Sequence, residues 1–264
     1  MRRLIAFPCQ GVELAGSLDE AAGTTGLLLV TGGSQTRIGS HRMYERLTKA
    51  LADKGYSCLR FDRRGVGDSA GDDPGFKGSA PDLAAAAAAF RRECPALGRV
   101  IGFGLCDGAS AIALFGKAAG LDALVLVNPW LVEAEAGEPP PAAIRAHYRQ
   151  RLLSRDGWRK ILSGAVDWKK LLKGLRKASA GPEPSPLAQE TAAALRQSGL
   201  RAWLILAEGD ATAIAAAQEL KAGAFRGLIE GREAIPSDSH TFARAGDEAA
   251  LLTAVERALK ALAA

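Results

Sequence analysis

Cys106 lies between two glycines, in Gly104-Leu105-Cys106-Asp107-Gly108, directly after the apolar run Arg99-Val100-Ile101 and before Ala109-Ser110-Ala111-Ile112-Ala113. A strand there would have to turn sharply into a helix. Glycines on both sides of a nucleophile allow so tight a turn that its side chain projects from the sheet edge. The N-terminus of the following helix then favours a thiolate and a developing oxyanion. Acyl transfer through sulfur is the chemistry this spacing suits. Two other readings stand beside it. Cys106 could be a small buried residue in a tight connection, and Gly102, Gly104 and Gly108 approximate a dinucleotide-binding glycine loop. The second is weakened because such a loop usually opens its domain, and because Asn128 stands at a distant strand end where a ribose-binding acid would be wanted.

A nucleophile needs a base and an acid to orient that base. The order nucleophile, acid after a later strand, then histidine is satisfied by Asp210 in Leu204-Ile205-Leu206-Ala207-Glu208-Gly209-Asp210 and by His240 in Pro236-Ser237-Asp238-Ser239-His240. Glu208 and Asp238 are rivals for the acid, and the strand-end position favours Asp210. Of the three histidines only His240 follows the acid. His41 reads as a helix-start residue and His147 as an exposed residue, neither with a triad partner. An upstream strand ends in Val30-Thr31-Gly32-Gly33-Ser34, so the main-chain N–H of Gly33 or Ser34 would join that of Asp107 as an oxyanion hole. Asp62 and Asp68 read as braces of their own loop.

The elements that must hold these groups alternate. Residues of "RLIAFP" and "VELAGSL" suggest an opening hairpin, and "TTGLLLVTGG" a strand buried on both faces. A helix over "SHRMYERLTKALADKG", a strand at "YSCLRFD", a helix at "APDLAAAAAAFRREC", the strand "GRVIGFG", a helix at "GASAIALFGKAAG" and the strand "LDALVLVNPW" follow. Such alternation predicts an α/β fold with a mostly parallel sheet. It lapses from about 131 to 199 and resumes with a strand at "LRAWLILAEGD", a helix at "ATAIAAAQELKAG", a strand at "FRGLIEG" and a closing amphipathic helix. A core of residues 1–130 and 200–264 with a helical cap at 131–199, inserted after the sixth strand, is the simplest organisation.

With these residues in view the sequence resembles the α/β-hydrolases. "FDRRGVGDSAG" supports this, since that superfamily often carries an Asp-x-Arg-Gly-x-Gly-x-Ser loop at the corresponding place. Within the superfamily the chain most resembles the hydrolases associated with exosortase A systems, found beside bacterial exopolysaccharide genes. Cys106 stands where serine is usual and Thr31 where histidine is common before the oxyanion glycine. Cys-Asp-His triads occur in dienelactone hydrolases and some acyltransferases. The resemblance implies a hydrolase or acyltransferase for an ester or thioester, with an acyl-cysteine intermediate on Cys106 and no cofactor.

Charge is distributed unevenly. The 264 residues carry a formal +5, and between Ala142 and Ala178 eleven lysines and arginines face only Asp156 and Asp167. Trp168, Leu171, Leu172 and Leu175 fall on one helical stripe, with Arg159, Lys160, Lys169, Lys170, Lys173, Arg176 and Lys177 among the surrounding basic residues. A solvated lid helix satisfies this pattern. So does a surface for an anionic partner: a coenzyme A or phosphopantetheine arm, an acidic acyl carrier, or an anionic membrane face. The second reading carries an alternative function, a non-catalytic accessory that binds a carrier or membrane through its cap. Nucleic acid is disfavoured, because no base-stacking or groove-reading motif accompanies the charge. No apolar run approaches the roughly 20 residues of a membrane span. The four cysteines have none of the close spacing of metal ligands, and with no export signal evident they read as reduced thiols of a cytoplasmic protein.

Overall fold

Runs of Leu, Val and Ile without alternation demand burial on both faces, and they build the centre of the sheet. A computed structural model describes residues 1–132, 184–221 and 223–263. Its strands are β1 (Arg2–Cys9), β2 (Val12–Asp19), β3 (Thr25–Val30), β4 (Ser57–Phe61), β5 (Arg99–Leu105), β6 (Ala123–Val127), β7 (Arg201–Ala207) and β8 (Gly231–Ile235). They form one sheet in the order β1-β2-β4-β3-β5-β6-β7-β8. The opening hairpin pairs β1 with β2, and β2 runs antiparallel to β4. All later pairings are parallel. This is the mostly parallel α/β sheet expected from the alternation, in the α/β-hydrolase arrangement that the resemblance implies.

Helices α1 (Met43–Ala52), α2 (Ala80–Glu93), α3 (Asp107–Phe115), α4 (Pro186–Ser198), α5 (Ala211–Lys221) and α6 (Asp247–Ala263) flank the sheet. Side chains alternate between the faces of a strand, so each face has its own core. Leu28 and Val30 join α2, α3, α4 and α5 on one side, while Leu27 and Leu29 join α1 and α6 on the other. Fully burying each such Leu or Val stabilises by about 1.5–3 kcal/mol relative to exposure. Helix α4 packs its Leu187, Ala188, Ala192 and Leu195 into the first core.

One element differs from its reading. The segment "FRGLIEG" is not a strand: Arg226 N–H donates to Gly223 and Leu228 N–H to Phe225, folding the chain into consecutive turns. Phe225 is buried in the core from that turn. The strand begins at Gly231 and pairs Trp203↔Gly231 through Ala207↔Ile235. Local apolar content misled the assignment, because a turn can anchor itself with one buried aromatic. The basic residues Arg159, Lys160, Lys169, Lys170, Lys173, Arg176 and Lys177, with His147 and the Trp168 stripe, lie outside the described residues.

Because β3 through β8 run parallel, their carboxyl ends meet along one edge, where α/β folds gather binding residues. The connections after β3, β5, β6, β7 and β8 carry Gly33, Cys106, Asn128, Asp210 and His240 respectively.

Candidate active site

Cys106 occupies the sharp turn between β5 and α3 at φ 59°, ψ −126°. A non-glycine residue in such a conformation costs of the order of 1–3 kcal/mol and persists only when its surroundings enforce it. Here they do. Cys106 N–H donates to Val127 at 3.0 Å, and its carbonyl accepts Ala109 and Trp130 N–H, both at 3.1 Å. The flanking glycines supply the required clearance: a Cβ on Gly104 would sit 2.4 Å from Gly108 O, and one on Gly108 2.5 Å from Val30 O. The strand, the turn and the helix start are thus packed backbone against backbone. Cys106 is half-buried, whereas Cys9, Cys58 and Cys94 are buried.

His240 faces the other members of the expected triad. Its Nδ1 lies 3.0 Å from Asp210 Oδ2. Hydrogen bonds to Asp210 first and Cys106 second raise the imidazole to about 10, against the opposing effect of burial. These interactions favour the imidazolium, the form left when His240 accepts a proton. Asp210 is buried, and the same Oδ2 accepts Ala213 N–H at 2.9 Å, capping α5. An aspartate that begins a helix is fixed in rotamer, and the imidazole inherits that fixity.

The rival acids are placed elsewhere. Asp238 is exposed and pairs with Arg244. Glu208 is exposed, with its main-chain N–H bonded to Ile235. Asp62 braces its loop, accepting Arg37 N–H at 2.5 Å and Asp68 N–H at 3.1 Å. Asp68 pairs with Arg37 at 2.8 Å.

Three supporting residues were not identified from the sequence. Asn128, fully buried at the end of β6, accepts Ala207 N–H on Oδ1 at 2.8 Å and donates Nδ2 to the His240 carbonyl at 3.3 Å. It sits at φ 41°, a region asparagine tolerates better than most residues. The available sequence signal was a polar residue closing an apolar strand. His41 bonds Thr241 O through Nε2 at 2.8 Å, steadying the other side of the His240 loop. Tyr44 is wholly buried beneath the elbow, where burial and the nearby Cys106 and Asp107 push its phenol well above the usual range.

At the carboxyl end of β3, Gly33 and Ser34 are exposed. Gly33 N–H donates to Asp107 Oδ1 at 2.6 Å. The Gly33 carbonyl accepts from Arg63 Nη2.

The α/β hydrolase family model matches residues 27–257 of the chain. The chain belongs to the α/β hydrolase family, and is an enzyme of that family. Solved structures agree in fold. An esterase of Pyrococcus furiosus superposes with a TM-score of 0.65 at 16% identity, over 100% of this chain and 91% of the other. Est1E from Butyrivibrio proteoclasticus, with ferulic acid bound, gives 0.64 at 14% identity, over 98% and 100%. A dienelactone hydrolase of Anabaena variabilis gives 0.63 at 15% identity, over 98% and 97%. No curated relative matches the sequence. No helix among the described residues is long and apolar enough to cross a membrane.

Proposed function

We propose that this enzyme cleaves or transfers acyl esters or thioesters through a Cys106–His240–Asp210 triad. The observation that carries the reading is His240, whose Nδ1 lies 3.0 Å from buried Asp210 Oδ2 and whose imidazole is raised by Asp210 first and by the neighbouring Cys106 second, with Cys106 itself on a strained elbow. His240 takes the thiol proton and Asp210 stabilises the resulting imidazolium. Cys106 Sγ bonds to the acyl carbon as the carbonyl pair moves onto oxygen. Asp107 N–H, at the first turn of α3 where intrahelical partners are lacking, and the N–H of Gly33 or Ser34 receive that charge. Losing one such donor typically costs about 2.7–4 kcal/mol of barrier. Collapse expels the alcohol or thiol, which takes the proton from His240, and leaves a thioester on Cys106. Water, an alcohol or an amine then attacks it, again with His240 as the base, and Cys106 is restored.

The fold neighbours that are esterases, and the one that is a dienelactone hydrolase, support an ester-type substrate. The basic run at 142–178 suits a phosphorylated arm, an acidic acyl carrier or an anionic membrane face, and supports substrates delivered on coenzyme A or a carrier protein. The sequence resemblance to exosortase-associated hydrolases supports a role in exopolysaccharide systems, and the reading of the four cysteines as reduced thiols supports a cytoplasmic setting. Of the expected insertion at 131–199, α4 packs its apolar side on the core, and we expect the stretch ahead of it to act as the cap over the site.

The test is a matched pair of substrates with one acyl group, an oxoester and a thioester, assayed with and without a nucleophilic alcohol or amine. Turnover of either that is lost in Cys106→Ala and His240→Ala supports the reading. Turnover retained in both variants overturns it.

A further inference from the structure

Of the main-chain donors named for an oxyanion, Gly33, Ser34 and Asp107, the first is already engaged. Asp107, the residue after the nucleophile, turns its carboxylate back across the elbow, so that Oδ1 accepts Gly33 N–H at 2.6 Å. The fit is close: a Cβ on the neighbouring Gly32 would lie 2.7 Å from that oxygen. Gly33 is held from behind as well, its carbonyl accepting from Arg63. Arg63 is buried, and its Nε and Nη1 have no hydrogen-bond partner among the described residues. A buried guanidinium without a paired carboxylate and the N-terminus of α3 both favour negative charge here. Gly33 is exposed and Asp107 half-buried, so the place is open to a substrate.

We propose that the Asp107 carboxylate is an internal occupant of the oxyanion hole and that it determines which acyl groups react. The inference rests on the reading of Cys106 as the nucleophile. A carboxylate oxygen and the oxyanion of a tetrahedral intermediate carry like charge, and they cannot share one N–H. A substrate gains the Gly33 donor only by moving Asp107 away, and a neutral carbonyl competes poorly with a charge-assisted bond. Acyl groups carrying a hydrogen-bond donor or cation beside the carbonyl, such as α-hydroxy or α-amino acyl groups, give the released carboxylate a new partner and are favoured. Acyl groups carrying a carboxylate there are disfavoured by repulsion.

An aryl trifluoromethyl ketone probes the hole directly. The Cys106 thiol adds to its carbonyl, the S–C bond forming as the carbonyl pair moves to oxygen, and the proton passes to His240. The adduct is counted by fluorine NMR. The same proteins are alkylated with iodoacetamide, which reports thiol reactivity and needs no oxyanion hole. The expected result is a rise of about tenfold or more in the ratio of ketone affinity to alkylation rate for Asp107→Ala. Asp107→Asn, which keeps the volume and loses the charge, should give a smaller rise in the same direction and serves if the alanine variant is unstable. A ratio that stays level or falls in both variants overturns the proposal and makes Asp107 a brace of the Gly33 loop. Ketone binding undiminished in Cys106→Ala removes the nucleophile reading itself, and the proposal with it, by a pattern the Asp107 variants cannot produce.

Discussion

Asp210 Oδ2 is shared by two elements far apart in the chain: it accepts Ala213 N–H at the start of α5 and lies 3.0 Å from His240 Nδ1. The residue that orients the base is thus itself locked by the helix it begins. Asp210→Asn should cut kcat by about 10²–10⁴-fold, the usual range for impaired acid–base catalysis. Steady-state kinetics would show the loss in kcat rather than in KM, and an unchanged kcat would remove Asp210 from the triad.

The raised His240 sets a sign for pH dependence. Its folded value of about 10 lies above the ordinary 6.5, so the stability it contributes is fully present below pH 6.5, declines above that and is gone beyond about pH 10. Thermal unfolding of wild type and Asp210→Asn across that window should show a difference that narrows as pH rises. A difference that widens toward alkaline pH would contradict the assignment.

Thiol reactivity should single out one cysteine. Burial and the bond to Asp82 push Cys9 up to about 11, and burial likewise raises Cys58 and Cys94. At about pH 7.5 iodoacetamide should modify Cys106 first, because the thiolate is the reacting species. Peptide mapping after brief exposure checks this, and early labelling of Cys9 or Cys94 would count against it.

Asn128 joins the β7 end to the His240 loop, so Asn128→Leu should leave the buried Ala207 N–H without an acceptor. An unsatisfied buried donor costs about 1–3 kcal/mol, or roughly 2–4 °C in Tm per kcal/mol for a domain of this size. Scanning calorimetry would detect the fall, with a loss of kcat as the His240 loop loses its tie. An unshifted Tm would show that Asn128 is not a strut.

Gly104→Ala places a methyl 2.4 Å from Gly108 O. Overpacking of this kind costs about 1–3 kcal/mol, and no rotamer can relieve a clash with backbone. Reduced Tm with weakened Cys106 alkylation is the expected pair of results; a variant identical to wild type in both would show that the elbow can relax.

The parallel core was legible because Leu27–Val30, Val100–Leu105 and Ala123–Val127 are continuous apolar runs, a pattern that burial on both faces requires. Cys106, Asp210 and His240 were legible as a candidate set because chain order and strand-end position constrain a triad more than any single residue does, and the structure brings Asp210 and His240 together. The Asp107 carboxylate on Gly33, the Asn128 bridge and the His41 contact to Thr241 were not. Each depends on the direction of one side chain toward a loop distant in sequence, and neither periodicity nor composition encodes direction. The misplaced last strand has a related cause, since Phe225 and Leu228 are apolar for the sake of a turn that packs on the core.

The central claim is the covalent one. Mixing the enzyme with a chromogenic short-chain ester or its thioester, quenching within the first turnover and weighing the intact protein measures it directly. The account predicts an acyl mass increment that maps to Cys106, is absent in Cys106→Ala and accumulates when acceptors other than water are withheld. Turnover without any increment, or an increment that persists in Cys106→Ala, would contradict it.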